Sequence, residues 1–188
     1  MKWAANFALG KYPDLDIGVK SANLVWRGAP GAQLMTLPQR LEDMASRLGE
    51  RRRPTSIVIH LGGNDLGGAT LLQLRGALQE AVGAAQRLFP GCTLVWSDIL
   101  PRVRYSAAGS QAKIEGTRKR LNRQARGVFS RCGGHVLTHP GFSWEKAELF
   151  RGDGVHLSDL GNQRFLDTFR EGLTLFSLYP SLFRYPPF

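Results

Sequence analysis

The chain has 188 residues, 43% of them apolar and 21% charged, a size and composition that suit one folded domain with a full core and exclude a disordered chain. Its 25 Lys and Arg outnumber 15 Asp and Glu, and the resulting charge of +10 favours anionic partners. Two cysteines, Cys92 and Cys132, make neither a disulfide framework nor a paired zinc site, and no apolar run is long enough to span a bilayer. The first residues, Met1 to Phe7, turn polar too quickly for a signal peptide, so the expected location is intracellular, cytoplasmic or nuclear.

Taken in order, Trp3–Leu9 reads as the end of a helix with Gly10 as its C-cap. A turn region with Pro13 follows, and Val19–Trp26 is long enough for a strand. After the loop Arg27-Gly28-Ala29-Pro30-Gly31, Leu34, Leu37, Leu41, Met44, Ala45 and Leu48 recur at helical spacing, and Pro38 falls in the first turn, where it is tolerated. Ile57–Leu61 is a continuous apolar run, as expected of a parallel strand covered on both faces. It stops at Gly62-Gly63-Asn64-Asp65. Thr70–Phe89 is a helix ended by Pro90-Gly91, and Thr93-Leu94-Val95-Trp96 is a second buried strand.

The loop Ile99–Ser110 carries Arg102, Arg104 and Tyr105, and Gln111–Arg131 is a strongly basic helix whose inner face holds Ile114, Leu121, Ala125 and Val128. His135-Val136-Leu137-Thr138 is the last strand, His139-Pro140 reads as a turn, and Trp144–Phe150 is a short amphipathic piece. Ser158 is a good N-cap for a final helix with Leu160, Phe165, Phe169, Leu173 and Phe176 on its core face. Strands alternating with helices predict an α/β fold with a parallel sheet and right-handed crossovers. The expected organisation is one domain over residues 1–177 and an irregular tail, rich in proline and aromatic residues, over 178–188.

Two segments carry reactive groups in a telling pattern. Gly62-Gly63-Asn64-Asp65 ends a buried strand, where open α/β sheets bind ligands, and its small residues admit close approach to the backbone. Asp153-Gly154-Val155-His156 sets an Asp three residues before a His, just ahead of a helix. Such a carboxylate can hold one ring nitrogen and leave the other as a base. An Asp-x-x-His match is common by chance; the two segments together, in this order within an α/β pattern, are specific.

On these residues the chain resembles the SGNH (GDSL-type) hydrolase and esterase superfamily. The likeness covers residues 3–175, including Trp26-Arg27-Gly28 and Leu94-Val95-Trp96-Ser97-Asp98. The pattern is also similar to uncharacterised SGNH-like domains of vertebrate genomes, some linked to mobile elements. The resemblance implies a three-layer α/β/α fold with a flavodoxin-like parallel sheet. It implies ester hydrolysis by Ser-His-Asp chemistry, with His156 as base, Asp153 as its orienting partner, and Asn64 and Gly31 in the oxyanion hole. Gly28 is the fallback for Gly31, and Gly62, Gly63 and Asp65 support the turn, Asp65 either bracing it or lying in solvent.

One family block is not found. Gly-Asp-Ser or Gly-His-Ser should close the first strand, yet residues 3–8 already resemble the inside of the helix that follows it. On this reading the nucleophile is absent, the first central strand is missing, and the chain is inactive or weakly active, a pseudoenzyme form of an esterase. Ser97 is the nearest substitute by position, Ser21 lies in the presumed second strand, and Ser158 is explained as a cap. Losing a central strand should open an edge at Ile57–Leu61, and the aromatic tail is the expected cover. His60 reads as a core histidine, and His135 and His139 flank the last strand. No metal or other cofactor is expected. The expected partner is a small ester or acylated substrate. The alternative is a non-catalytic basic module of the same fold that binds nucleic acid through Gln111–Arg131.

Overall fold

The computed structural model describes residue 15 and residues 24–49, 53–105 and 110–186. The helix expected over residues 3–9, residues 19–23 of the first expected strand (Ser21 among them) and the last two residues of the tail lie outside this set. Residues 24–26, which are described, have no regular secondary structure. The chain forms two compact units. The first comprises Met1–Gly31, Leu100–Ser106 and Leu137–Phe188, and the second Ala32–Ile99 and Ala107–Val136.

The second unit holds the parallel strands. A 3-10 turn, Leu34–Thr36, leads into α1, Leu37–Leu48, with a proline in the first turn, where its missing N–H has no intrahelical partner to lose. Strand β1, Ser56–Ile59, is followed by α2, Leu71–Leu88, and β2, Thr93–Ser97. The two strands are parallel, with Ser56 opposite Thr93 and Ile59 opposite Trp96, so α2 is the crossover between them. A reciprocal cap starts α2: Thr70 Oγ1 accepts the Gln73 N–H, and the Gln73 side chain accepts the Thr70 N–H. Helix α3, Gln111–Arg131, packs on β2, and β3, His135–Leu137, follows.

The core of this unit gathers Leu34, Leu74, Leu78, Trp96, Leu121 and Phe129, all fully buried. Each such side chain contributes about 1.5–3 kcal/mol relative to exposure. Trp96 meets Phe129 at a ring separation of 5.7 Å. The two parallel strands differ. Strand β2 is buried from Leu94 onward, whereas β1 grades from exposed Ser56 through half-buried Ile57 and Val58 to buried Ile59. The continuous apolar run thus marks a strand covered on both faces in β2 but not in β1, which among the described residues has a strand neighbour, β2, on one side only.

In the first unit, α4, Asp159–Leu178, packs on a 3-10 turn, Ala147–Leu149. His139 opens a turn just after β3, and its ring is buried. The turn forms, with the Phe142 N–H donating to the His139 carbonyl, but the imidazole is buried against Phe165 and Phe169 at 4.9 and 5.9 Å between ring centroids. Burial pushes its pKa down to about 3, so the ring is neutral.

The tail carries a two-residue strand, β4, Arg184–Tyr185. The Thr138 N–H and hydroxyl both donate to the Tyr185 carbonyl, so β4 runs beside the end of β3. The described part of the tail thus pairs within its own unit. Residues 179–183, partly coiled in a turn closed by the Leu182 N–H on the Tyr179 carbonyl, are too short a connection to carry it far from the end of α4. The fold is α/β with a parallel sheet, as expected. No helix among the described residues is long and apolar enough to cross a membrane.

Candidate active site

The Asp153 loop is built almost wholly from local bonds. The Arg151 N–H donates to the His156 carbonyl at 2.7 Å, the Gly154 N–H to the Arg151 carbonyl at 2.8 Å, and Phe150 bridges Leu157 in antiparallel fashion. Inside this closed loop Asp153 Oδ1 accepts the N–H groups of Val155 and His156 at 2.8 and 2.9 Å. Its other oxygen, Oδ2, lies 2.6 Å from His156 Nδ1. The His156 ring and its backbone and Val155 N–H groups together pull the Asp153 carboxyl down to about 2. The carboxylate is therefore ionised near neutral pH and holds the imidazole by Nδ1. Both side chains remain nearly half exposed, at 45% for His156 and 47% for Asp153.

Gly154 is positioned by contact. It sits at a φ of +67°, and a Cβ there would meet Val103 Cβ and Arg104 Cγ at 3.1 and 3.0 Å. The Arg104 N–H donates to the Gly154 carbonyl at 3.1 Å. The loop after β2 is thus fastened to the Asp–His loop. Ser158 ends the latter: its Oγ accepts the Gly161 N–H at 3.1 Å and donates to the Glu148 carbonyl at 2.7 Å, the capping role expected of it.

The glycine turn after β1 is held by distant bonds. The Asn64 side-chain amide donates to the Ala32 carbonyl at 3.0 Å, and buried Asp65 accepts the Leu34 N–H on Oδ2 at 2.9 Å. Adjacent turn residues thus grip both ends of one short segment, and Asp65 braces the turn rather than lying in solvent. An amide nitrogen has two hydrogens, and the one held by Ala32 fixes the plane of the exposed Asn64 side chain. Burial raises the Asp65 pKa. Gly62 is buried at a φ of +104° beneath Ile99, and Gly63 is half-buried. Gly31, at a φ of +65°, is exposed and next in sequence to the Ala32 that Asn64 holds.

Burial fixes the place of Ser97 and His60. Ser97, the last residue of β2, is fully buried, and its Oγ lies 2.8 Å from Nδ1 of His60, which directly follows β1. Sequence reasoning missed Asn122. Buried on α3, it accepts the Ile99 N–H on Oδ1 and donates from Nδ2 to the Ile99 carbonyl, holding the chain where it leaves β2. Arg118 and Arg126 of α3 are engaged as well, with Glu115 and the Ile99 carbonyl, and with Asp98. A polar residue at Asn122, seven residues before buried Phe129, was the available signal. Among the described residues no cluster of three or more His, Cys, Asp or Glu could hold a metal ion.

A parallel α/β sheet of this kind is found in esterases of known structure. The chain is similar to the esterase EstA of Pseudoalteromonas sp. inhibited by monoethylphosphonate, with 14% identity over 94% of this chain and 86% of that one and a TM-score of 0.65. It is similar to an acetyl esterase mutant solved with acetate ion, with 18% identity, 78% and 69% coverage and a TM-score of 0.60. A Clostridium thermocellum family 3 carbohydrate esterase gives 17% identity, 86% and 73% coverage and a TM-score of 0.60. At these identities the likeness is one of fold. No curated protein matches the chain. The sequence itself matches the GDSL-like Lipase/Acylhydrolase family over residues 4–164, and the chain belongs to that family.

Proposed function

We propose that this chain is an acyl-ester hydrolase domain of the Ser-His-Asp type. His156 is the general base, Asp153 its orienting carboxylate, and the Asn64 amide and Gly31 N–H the oxyanion donors. Gly62, Gly63 and Asp65 support Asn64. The observation that carries the reading is the 2.6 Å pairing of Asp153 with His156 Nδ1. With Nδ1 held by a carboxylate, Nε2 is the nitrogen that takes a proton from an attacking hydroxyl. As that hydroxyl adds to an ester carbonyl, negative charge builds on the carbonyl oxygen, and a neutral amide already fixed by Ala32 meets it without reorganising. The substrate class is a small ester or acylated molecule.

The nucleophile is not among the serines the fold accounts for. Ser97 is buried against His60, and Ser110 and Ser158 cap helices. With no serine assigned as nucleophile, we propose water as the group that His156 serves and slow turnover as the result. The test is p-nitrophenyl acetate turnover by this chain and by one given an N-terminal segment bearing Gly-His-Ser. The first is expected to stay near background. The second should turn over substrate and lose that activity on His156→Ala. An extended chain that is inactive, and indifferent to His156→Ala, overturns the esterase reading.

A second reading rests on α3. With Arg118 and Arg126 engaged inside the unit, Lys113, Lys119, Arg120 and Arg123 are left as an exposed cationic stripe for a nucleic-acid backbone. Retention on polyanion that falls steeply with salt supports it, and no retention at moderate salt removes it.

A further inference from the structure

Two arginines of the loop after β2 come with the Asp–His loop, and they are used differently. Arg102 is half-buried, and its guanidinium lies 6.0 Å from the Tyr105 ring centroid. Arg104 is exposed. Its guanidinium has no ion pair or hydrogen bond among the described residues. Yet Arg104 is anchored at its base, because its N–H is bonded to the Gly154 carbonyl and its Cγ lies against Gly154. Gly154 adjoins Asp153 and lies two residues before His156. A long cationic side chain therefore starts at the edge of the Asp–His pair on a backbone hydrogen-bonded to that loop.

We propose that Arg104 is a specificity-determining residue that binds an anionic group carried by the ester substrate close to the scissile carbonyl, so that the preferred substrates are half-esters of diacids or acyl esters of hydroxy acids. The proposal rests on the esterase reading above and names the substrate class for the same site. The chemistry is simple. A guanidinium presents paired N–H donors that match a carboxylate in two parallel bonds, and it is more weakly hydrated than an ammonium. The nearby anion, Asp153, already engages His156 Nδ1 and two backbone N–H groups, and the arginine whose charge it favours is half-buried Arg102. Arg151, the other cation of this loop, is turned to the Leu157 carbonyl and toward Asp159. Among the described residues of these two loops, Arg104 is the arginine that is exposed and that no acidic side chain claims.

The experiment needs no turnover, so it can be done on the chain as it stands. The His156 imidazole resonances are followed by NMR during titration with two matched pairs. Monomethyl succinate against dimethyl succinate puts the carboxylate on the acyl side, and acetoxyacetate against methyl acetoxyacetate puts it on the alcohol side. At least one acid is expected to bind about tenfold more tightly than its neutral ester, the scale of one charge-assisted contact. Which pair shows the preference assigns the side of the scissile bond that Arg104 faces. Arg104→Gln should bring acid and ester to equal affinity, and Arg104→Lys should restore part of the preference. Equal affinity within both pairs in the unaltered chain, or a preference that survives Arg104→Gln, overturns the assignment of Arg104 while the neutral esters still report an ester site. If none of the four perturbs His156, the site reading itself fails and takes this inference with it.

Discussion

The glycine turn after β1 and the Asp–His loop before α4 carry the two kinds of group that the proposed ester hydrolysis assigns to them, and they are built on opposite plans. The Asp–His loop closes on itself. The bonds from Asp153 that hold the His156 ring and backbone come from three residues away, and both side chains stay nearly half exposed. The turn is organised from a distance: Asn64 and Asp65 bond to partners 32 and 31 positions away, respectively, and Asp65 is only 2% exposed. The proposed base would have to meet substrate and solvent, and a local, exposed frame suits that role. A donor aimed at a developing charge must not move, and a buried anchor gives that.

The largest test of the contrast is Asp153→Asn in a chain supplied with a nucleophile. It should leave the loop folded and lower kcat roughly 10⁴-fold, because the carboxylate that fixes the tautomer of His156 is gone. Asn64→Ala in the same chain should lower kcat roughly 100- to 1000-fold, the usual loss for one oxyanion donor. Substantial unfolding of Asp153→Asn, measured by circular dichroism, would break the view of that loop as locally framed.

Next in size is Asp65. Asp65→Ala leaves the buried Leu34 N–H unpaired and should cost about 1–3 kcal/mol in urea unfolding. Asp65→Asn keeps an acceptor for it and should cost less.

The smallest effect sharpens the contrast through pH. Burial raises the Asp65 pKa above 3.8, so its folded form holds a proton longer than the unfolded one, and it costs stability as pH rises through that window. Asp153 has the opposite sign. Lowered from 3.8 to about 2, it contributes stability that is present above 3.8 and is lost as pH falls toward about 2. The penalty of Asp153→Asn should therefore shrink in acid, and by little overall, since solvent screens a half-exposed pair. The penalty of Asp65→Asn should instead shrink as pH rises. Parallel stability–pH curves for the two variants would refute this division.

The same contrast explains what the sequence made legible. A three-residue spacing such as Asp153 to His156 is written in the chain, and so is the period of helices α1 to α4. The Gly62-Gly63-Asn64-Asp65 motif named its residues, but not their partners. Nothing near Asp65 announces that its carboxylate accepts the Leu34 N–H, and the free choice between brace and solvated residue is settled only by packing. Asn122 was hidden because a polar residue on an apolar helix face resembles surface until the strand end it serves is in place. Apolar runs in β1 and β2 look alike, although β2 is covered throughout and β1 only in part, since coverage depends on neighbours. His139 read as a turn residue because Pro140 speaks for the backbone and says nothing of where the ring goes.

Gly161 has a use beyond this molecule. A methyl group there would collide with the Leu149 carbonyl, to which the first turn of α4 is pressed. Asp153, His156 and Gly161 therefore form one steric and chemical unit, Asp-x-x-His-x-x-x-x-Gly. In a sequence search the bare Asp-x-x-His pattern collects accidents, because nothing in it demands a fold. A glycine five places after the histidine demands one, and requiring it turns a two-residue coincidence into a filter for chains that can seat a base at the head of their last helix.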